Sequence, residues 1–161
     1  MRRRGFFVMA LTLLLGACGF QLRGTSEFPF STIYIQAPNQ QMAVGLKRYI
    51  RYGSNATVVD SPAQADVQLQ VLNIATGSTP IGINPQGQPG EYDLTTVTTF
   101  QLVDAHGKVL IPPTRISLSR SLPYNVSLAQ AFASESVLLQ NDMIKDTVEQ
   151  IIRRLEAVKS R

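Results

Sequence analysis

Glu91-Tyr92-Asp93-Leu94-Thr95-Thr96-Val97-Thr98-Thr99-Phe100-Gln101-Leu102-Val103-Asp104, then Ala105-His106-Gly107-Lys108, then Val109 to Leu122, is the stretch on which the fold turns. The first run is rich in Thr, Val, Tyr and Phe, the residue types that suit a pleated, half-buried surface. In the second, Ile116, Leu118 and Leu122 fall on one parity and Ser117, Ser119 and Ser121 on the other, which is the period of a strand with one covered face. Asp104 to Lys108 reads as the hairpin turn between them, with Gly107 supplying a positive φ. Pro112-Pro113 cannot donate to a ladder, so that part of the strand belongs at an edge or a bulge.

Upstream, Asp66 to Ala75 places Val67, Leu69 and Val71 on one face against Gln68 and Gln70, which adds a third meander strand. Between it and Glu91 lies Gly77 to Gly90, with Pro80, Pro85, Pro89 and four glycines. This composition predicts a long, mobile hairpin loop over 77–90. Ser31 to Ala37 alternates as a strand, and a further short run at Ala56 to Val59 is open to the same reading. Between these, Met42, Leu46, Tyr49 and Ile50 recur at helical spacing, with Asn39 as the cap and Gly53 closing the helix. The C-terminal third predicts a helix over about 128–158, opened by a Ser127/Gln130 capping box. Its apolar stripe runs through Phe132, Val137, Leu138, Asn141, Ile144, Val148, Ile151, Ile152, Leu155 and Val158. Strand, helix, three-strand meander, helix predicts an α+β two-layer sandwich: a four-stranded antiparallel or mixed sheet with two helices on one face.

The N-terminus is of another kind. Arg2, Arg3 and Arg4 precede the apolar run Phe6 to Leu15, too short to span a bilayer and patterned as a secretory signal peptide. Leu15-Gly16-Ala17-Cys18 resembles the bacterial lipobox, in which the cysteine becomes the first mature residue, its thiol takes a diacylglycerol and its amine is acylated. Cys18 is the only cysteine of the chain, so lipidation accounts for an odd thiol in an exported protein. Gly19, where Asp would retain a lipoprotein in the inner membrane, points to the outer membrane. The expected organisation is a removed signal peptide over 1–17, a lipid-anchored tether over 18–30 and a single domain over 31–161.

Charge follows the same division. The whole chain has 15 Lys and Arg against 11 Asp and Glu. Without Arg2, Arg3 and Arg4 the balance is 12 against 11, so no basic excess remains for a nucleic-acid partner. With one His and one Cys, there is no Cys-x-x-Cys, His-Glu-x-x-His or Gly-x-Ser-x-Gly. No catalytic residue, metal site or cofactor is expected, and His106 sits in a turn. The cations of the meander say more. Arg115 and Arg120 differ by five and face opposite sides of a regular strand; Arg120 shares the parity of Ile116 and Leu118. It either snorkels at the strand's end or, with an apolar face beside it, holds the phosphate of an amphipathic ligand.

Cys18-Gly19-Phe20-Gln21-Leu22-Arg23-Gly24 is similar to the mature opening of the LptE family of lipopolysaccharide-assembly lipoproteins, Cys-Gly-[aromatic]-x-Leu-Arg. The element order and the closing run Glu149-Gln150-Ile151-Ile152-Arg153-Arg154-Leu155 extend the resemblance. It implies two helices against a four-stranded sheet and a role without catalysis. It further implies a plug inside the large outer-membrane barrel LptD, which members help to assemble, and a contact with lipopolysaccharide on its way to the cell surface. The expected location is the outer membrane, lipid-anchored, facing the periplasm and lodged in the barrel lumen. Thr95, Thr96, Thr98, Thr99, Gln101, Ser117 and Ser119 would present hydroxyls and amides to that lumen. Enteric members carry basic residues in the loop before the middle meander strand and near the start of the last helix. Here that loop has none and the helix begins Ala131-Phe132-Ala133, which leaves Arg115, Arg120 and Lys108 as the candidates for touching lipopolysaccharide phosphates. The alternative is a stand-alone periplasmic lipoprotein that carries an amphipathic ligand.

Overall fold

Gly107 has φ 82°, and from it two long strands run back antiparallel, β4 (Pro89–Asp104) and β5 (Val109–Pro123). The computed structural model describes residues 26–158. Signal peptide, lipobox and Cys18 lie outside the described residues. The remaining strands are β1 (Thr32–Gln36), β2 (Thr57–Val59) and β3 (Val67–Ile83); the helices are α1 (Gln40–Gly53) and α2 (Ala129–Glu156). Five strands form one mixed sheet in the order β2-β1-β3-β4-β5. The fifth, where the pattern predicts four, is the three-residue β2, parallel to β1. Parallel neighbours need a crossover, and α1 supplies it between β1 and β2.

α1 follows its local signals. The Asn39 side chain accepts from the Met42 amide at 3.0 Å, and Met42, Leu46 and Ile50 are its buried stripe. Gly53 is its last residue, without a positive φ; the exit is held by Ser54, whose hydroxyl donates to the Ile50 carbonyl at 2.7 Å. α2 has no Ser127/Gln130 box. Asn125 accepts from the Ser127 amide at 2.9 Å, capping a 3-10 turn over Val126–Leu128 that leads into the helix. The buried residues of α2 are Met143, Ile144, Thr147, Val148, Ile151, Ile152 and Leu155, whereas Val137 and Leu138 face solvent.

The segment 77–90 is mostly ladder rather than loop. β3 pairs with β4 from Val67↔Asp104 to Ile83↔Pro89, leaving 84–88 as the turn. Beyond Gln70, the last residue that pairs with β1, β3 has β4 as its one strand neighbour. Pro80 therefore sits on an edge, where a missing amide is tolerated. A bulge between Val71 and Asn73 reverses the parity of β3, so that Val67, Leu69 and Val71 before it and Ile74 after it all meet the core. A second bulge lies where Ile111 and Thr114 pair with Leu102 and Phe100, at Pro112-Pro113.

Both helices cover one face of the sheet. The main core joins Ile33, Ile35, Leu69, Phe100, Leu102 and Ile116 of the strands to Met42, Leu46 and Ile50 of α1 and Val148, Ile151, Ile152 and Leu155 of α2. Phe28 and Phe30, stacked at 5.1 Å, belong to it as well, so the last part of the segment expected as tether is packed into the domain. Above this core the meander continues alone with the first half of α2, around a smaller cluster of Leu94, Leu122 and Met143.

Candidate functional site

The face of the sheet without helices is set by the period of two. In β4, Leu94, Thr96, Thr98, Phe100 and Leu102 are buried under the helices, so Thr95, Val97, Thr99 and Gln101 point the other way. Their partners Ser119, Ser117 and Arg115 on β5 share that open face. Gln101 donates to Gln70 at 2.7 Å and Ser119 donates to the Asp93 carboxylate. The result is a broad surface of hydroxyls and amides. Thr96 and Thr98 do not belong to it, because adjacent strand residues cannot share a face. Both are 0% exposed; the Thr96 hydroxyl lies 4.0 Å from the Met143 sulfur, and the Thr98 hydroxyl has no hydrogen-bond partner.

The three cations named from the sequence are not brought together. Arg115 is exposed on the open face, opposite Thr99. Arg120 points to the helix side and pairs with Asp146 of α2 at 2.6 Å. Lys108 follows the β4–β5 turn and lines a recess of about 810 Å³ at that end of the sheet. There Asp104 accepts from the backbone amides of Lys108 (2.8 Å) and His106 (2.9 Å), and these contacts, the Lys108 amide foremost, hold its carboxyl below the usual range.

That recess is lined by Phe30, Leu110, Ile111 and Val158, with Lys108 and Arg154 as its cations and Asp66 and Asp104 as its anions. Asp66 also has a lowered pKa, chiefly because the amide of Thr32 and then that of Ser31 donate to it. Both carboxylates are thus ionised at neutral pH and cancel the two cations. Arg154 additionally stands 6.0 Å from the Phe100 ring centroid. A neutral recess of this kind offers no net attraction to a phosphorylated ligand. Among the described residues, no cluster of three or more His, Cys, Asp or Glu could hold a metal ion, and no helix is long and apolar enough to cross a membrane.

A family model described as "LptE: Lipopolysaccharide-assembly" matches residues 30–155. The LPS-assembly lipoprotein LptE of Yersinia enterocolitica is 26% identical over 156 residues, covering 91% of this chain and 72% of that protein. Among solved structures, an uncharacterized lipoprotein B from Nitrosomonas europaea superposes with a TM-score of 0.74 at 33% identity, over 86% of this chain and 91% of that one. The rare lipoprotein B of Shewanella oneidensis shares the fold at a TM-score of 0.69 and 16% identity, over 79% and 95%. With the family match spanning the whole sheet, α1 and all but the last residue of α2, the chain belongs to the LptE family of lipopolysaccharide-assembly lipoproteins.

Proposed function

We propose that this chain acts without catalysis as an outer-membrane lipoprotein, anchored through Cys18, that plugs an LptD-type β-barrel, helps it assemble and takes part in moving lipopolysaccharide to the cell surface. The observation that carries the reading is the helix-free sheet face. It is extended, built mainly of Thr, Ser and Gln side chains with Val97 among them, and carries Asp93 and Arg115 as its charges. Uncharged hydrogen-bonding groups lose less on being enclosed than charges do, and they match the polar lumen of a large barrel. Membership of the family supports the same role.

A lipopolysaccharide contact, on this reading, uses Arg115 first. It has no acidic partner among the described residues and lies on the open face, whereas Lys108 sits at the sheet's end beside Asp104 and Arg120 must first release Asp146. Arg115→Ala is expected to weaken binding of lipopolysaccharide in vitro about ten-fold or more, since a charge-assisted bond to phosphate contributes about 1.5–3 kcal/mol; unchanged affinity counts against the assignment. The test of the whole reading is purification of the tagged protein from outer membranes in mild detergent. A much larger barrel protein should accompany it, and depletion should lower both assembled barrel and surface lipopolysaccharide. Recovery of the lipoprotein alone, with barrel and lipopolysaccharide unaffected by depletion, would support the stand-alone carrier instead.

A further inference from the structure

The outer face of α1 has a composition that the fold does not use. Opposite its buried stripe run Val44, Lys47, Arg48, Arg51 and Tyr52, spaced at three and four residues and therefore on one face. Val44 is 54% and Tyr52 83% exposed. The helix contains no Asp or Glu, and none of its three cations has a salt bridge within the described residues. Beside this stripe lies the groove between α1 and α2, about 410 Å³, with Gly45, Ile144 and Val148 as an apolar lining and Arg48 and Tyr52 also bordering it. The carboxylate in that groove, Glu149, pairs with Arg153 at 3.7 Å. Glu27, next to Ser26 in the chain, offsets at most one of the three cations.

The position of the stripe suits its chemistry. The Ser26 amide donates to the Gly53 carbonyl at 2.7 Å, and the Asn55 amide donates to the Ser26 carbonyl at 3.2 Å. The chain therefore joins the domain beside the C-terminal end of α1. Cys18 is eight residues upstream of Ser26, a span of at most about 28 Å of extended chain. A tyrosine, an aliphatic side chain and unpaired cations on one helix face, tethered that close to a lipidated residue, match an anionic bilayer surface: the ring sits at headgroup level and the cations meet lipid phosphates.

The geometry points to the Val44/Lys47/Arg48/Arg51/Tyr52 face of α1 as a docking surface for the anionic phospholipid headgroups of the membrane that holds the anchor. Its position relative to the membrane rests on the Cys18 reading above; its charge and exposure do not.

The chain has no tryptophan, so Tyr52→Trp introduces a single tryptophan, excited selectively over the remaining tyrosines, at an exposed position. The lipidated protein carrying it is reconstituted in phosphatidylcholine vesicles with and without phosphatidylglycerol. A blue shift of the emission, with quenching by brominated acyl chains, is expected when phosphatidylglycerol is present. High salt should remove the shift, and so should Arg48→Glu with Arg51→Glu. Val126→Trp, at the far end of the domain, should show no such response. Emission at position 52 that ignores phosphatidylglycerol overturns the proposal, as does an equal response at position 126. So does a shift that requires the barrel protein and not the lipid, which would assign the face to a protein partner. Failure of the anchor reading is seen separately, as protein that leaves phosphatidylcholine vesicles in high salt while the fluorophore at position 52 still responds to phosphatidylglycerol.

Discussion

One carboxylate oxygen of Asp66 accepts the amides of Thr32 at 2.8 Å and Ser31 at 3.0 Å, while the Asp66 amide donates to the Thr32 hydroxyl at 2.8 Å. These bonds fasten the start of β1 to the start of β3 and hold the Asp66 carboxyl below its usual 3.8. A lowered folded value means that the unfolded chain takes up the proton more readily. The stabilisation is therefore complete well above pH 3.8 and is lost as the pH falls through the folded value. Asp66→Ala is expected to cost about 1 kcal/mol at neutral pH, as removal of a helix cap does, read from urea midpoints. The gap between wild type and variant should close as the solution is acidified below about pH 4; a gap indifferent to pH would mean that the carboxylate is not the acceptor. Thr98 makes the opposite case. Its hydroxyl is buried without a partner, so Thr98→Val keeps the shape, removes an uncompensated polar group and should raise stability by about 1 kcal/mol. A lowered urea midpoint would show that the hydroxyl is satisfied.

At the scale of elements, what the sequence could reveal depended on how local the cause was. α1 was legible because Asn39 and the Met42/Leu46/Ile50 stripe act within the helix itself, and the β4–β5 hairpin because Gly107 carries the turn. α2 was legible as a helix, but its buried stripe differs in the first half: Val137 and Leu138 continue the apolar spacing, yet Leu139 and Met143 meet the sheet. Only the position of β4 and β5 decides between them. The far part of β3 was hidden for a similar reason, since Gly77, Pro80 and Gly82 are poor strand formers that become ordered by pairing with β4. In the candidate surface, the open face is visible as polar alternation, but composition alone also counts Thr96 and Thr98 on it, although strict alternation already separates them from Thr95 and Thr99. The partner of Arg120, Asp146, is 26 residues away in sequence and on another element, which no spacing rule reveals. Gly45 is another case of non-local cause. A Cβ there would stand 3.2 Å from a methyl of Val148, so the glycine lets α1 and α2 approach. Gly45→Val is expected to lower stability by about 1–3 kcal/mol through overpacking. Gly45→Ala should cost less, because its gain in helix propensity, about 1 kcal/mol, offsets the tighter contact. Equal urea midpoints for wild type and Gly45→Val would show that the helices are not in close contact there.

The whole molecule is divided unevenly along its length. At the end where the chain joins from Ser26, five strands and two helices share the main core. Further along, β1 and β2 have ended, and the upper meander is held to α2 by Leu94, Leu122 and Met143 with Leu118, Phe132 and Leu139 beside them. Three rings close this upper part: Phe132 lies 5.1 Å from Tyr92 and 5.0 Å from Tyr124, which are 5.3 Å from each other. With so small a cluster, the upper part is expected to be the less stable unit of the fold and to open while the base stays closed. It is also the part that reaches farthest from the proposed anchor, where a plug would have to fit its partner. Phe132→Ala removes the centre of the ring cluster. A fully buried phenylalanine costs about 3–5 kcal/mol on truncation, and a half-buried one is expected to cost about 2 kcal/mol. That loss should fall on local opening. Amide exchange should accelerate in the upper meander and the first half of α2, with β1 and the Ile144–Leu155 part of α2 exchanging as in the wild type. Uniform acceleration across the chain would mean that the two clusters unfold as one, and the upper part would then be as rigid as the base.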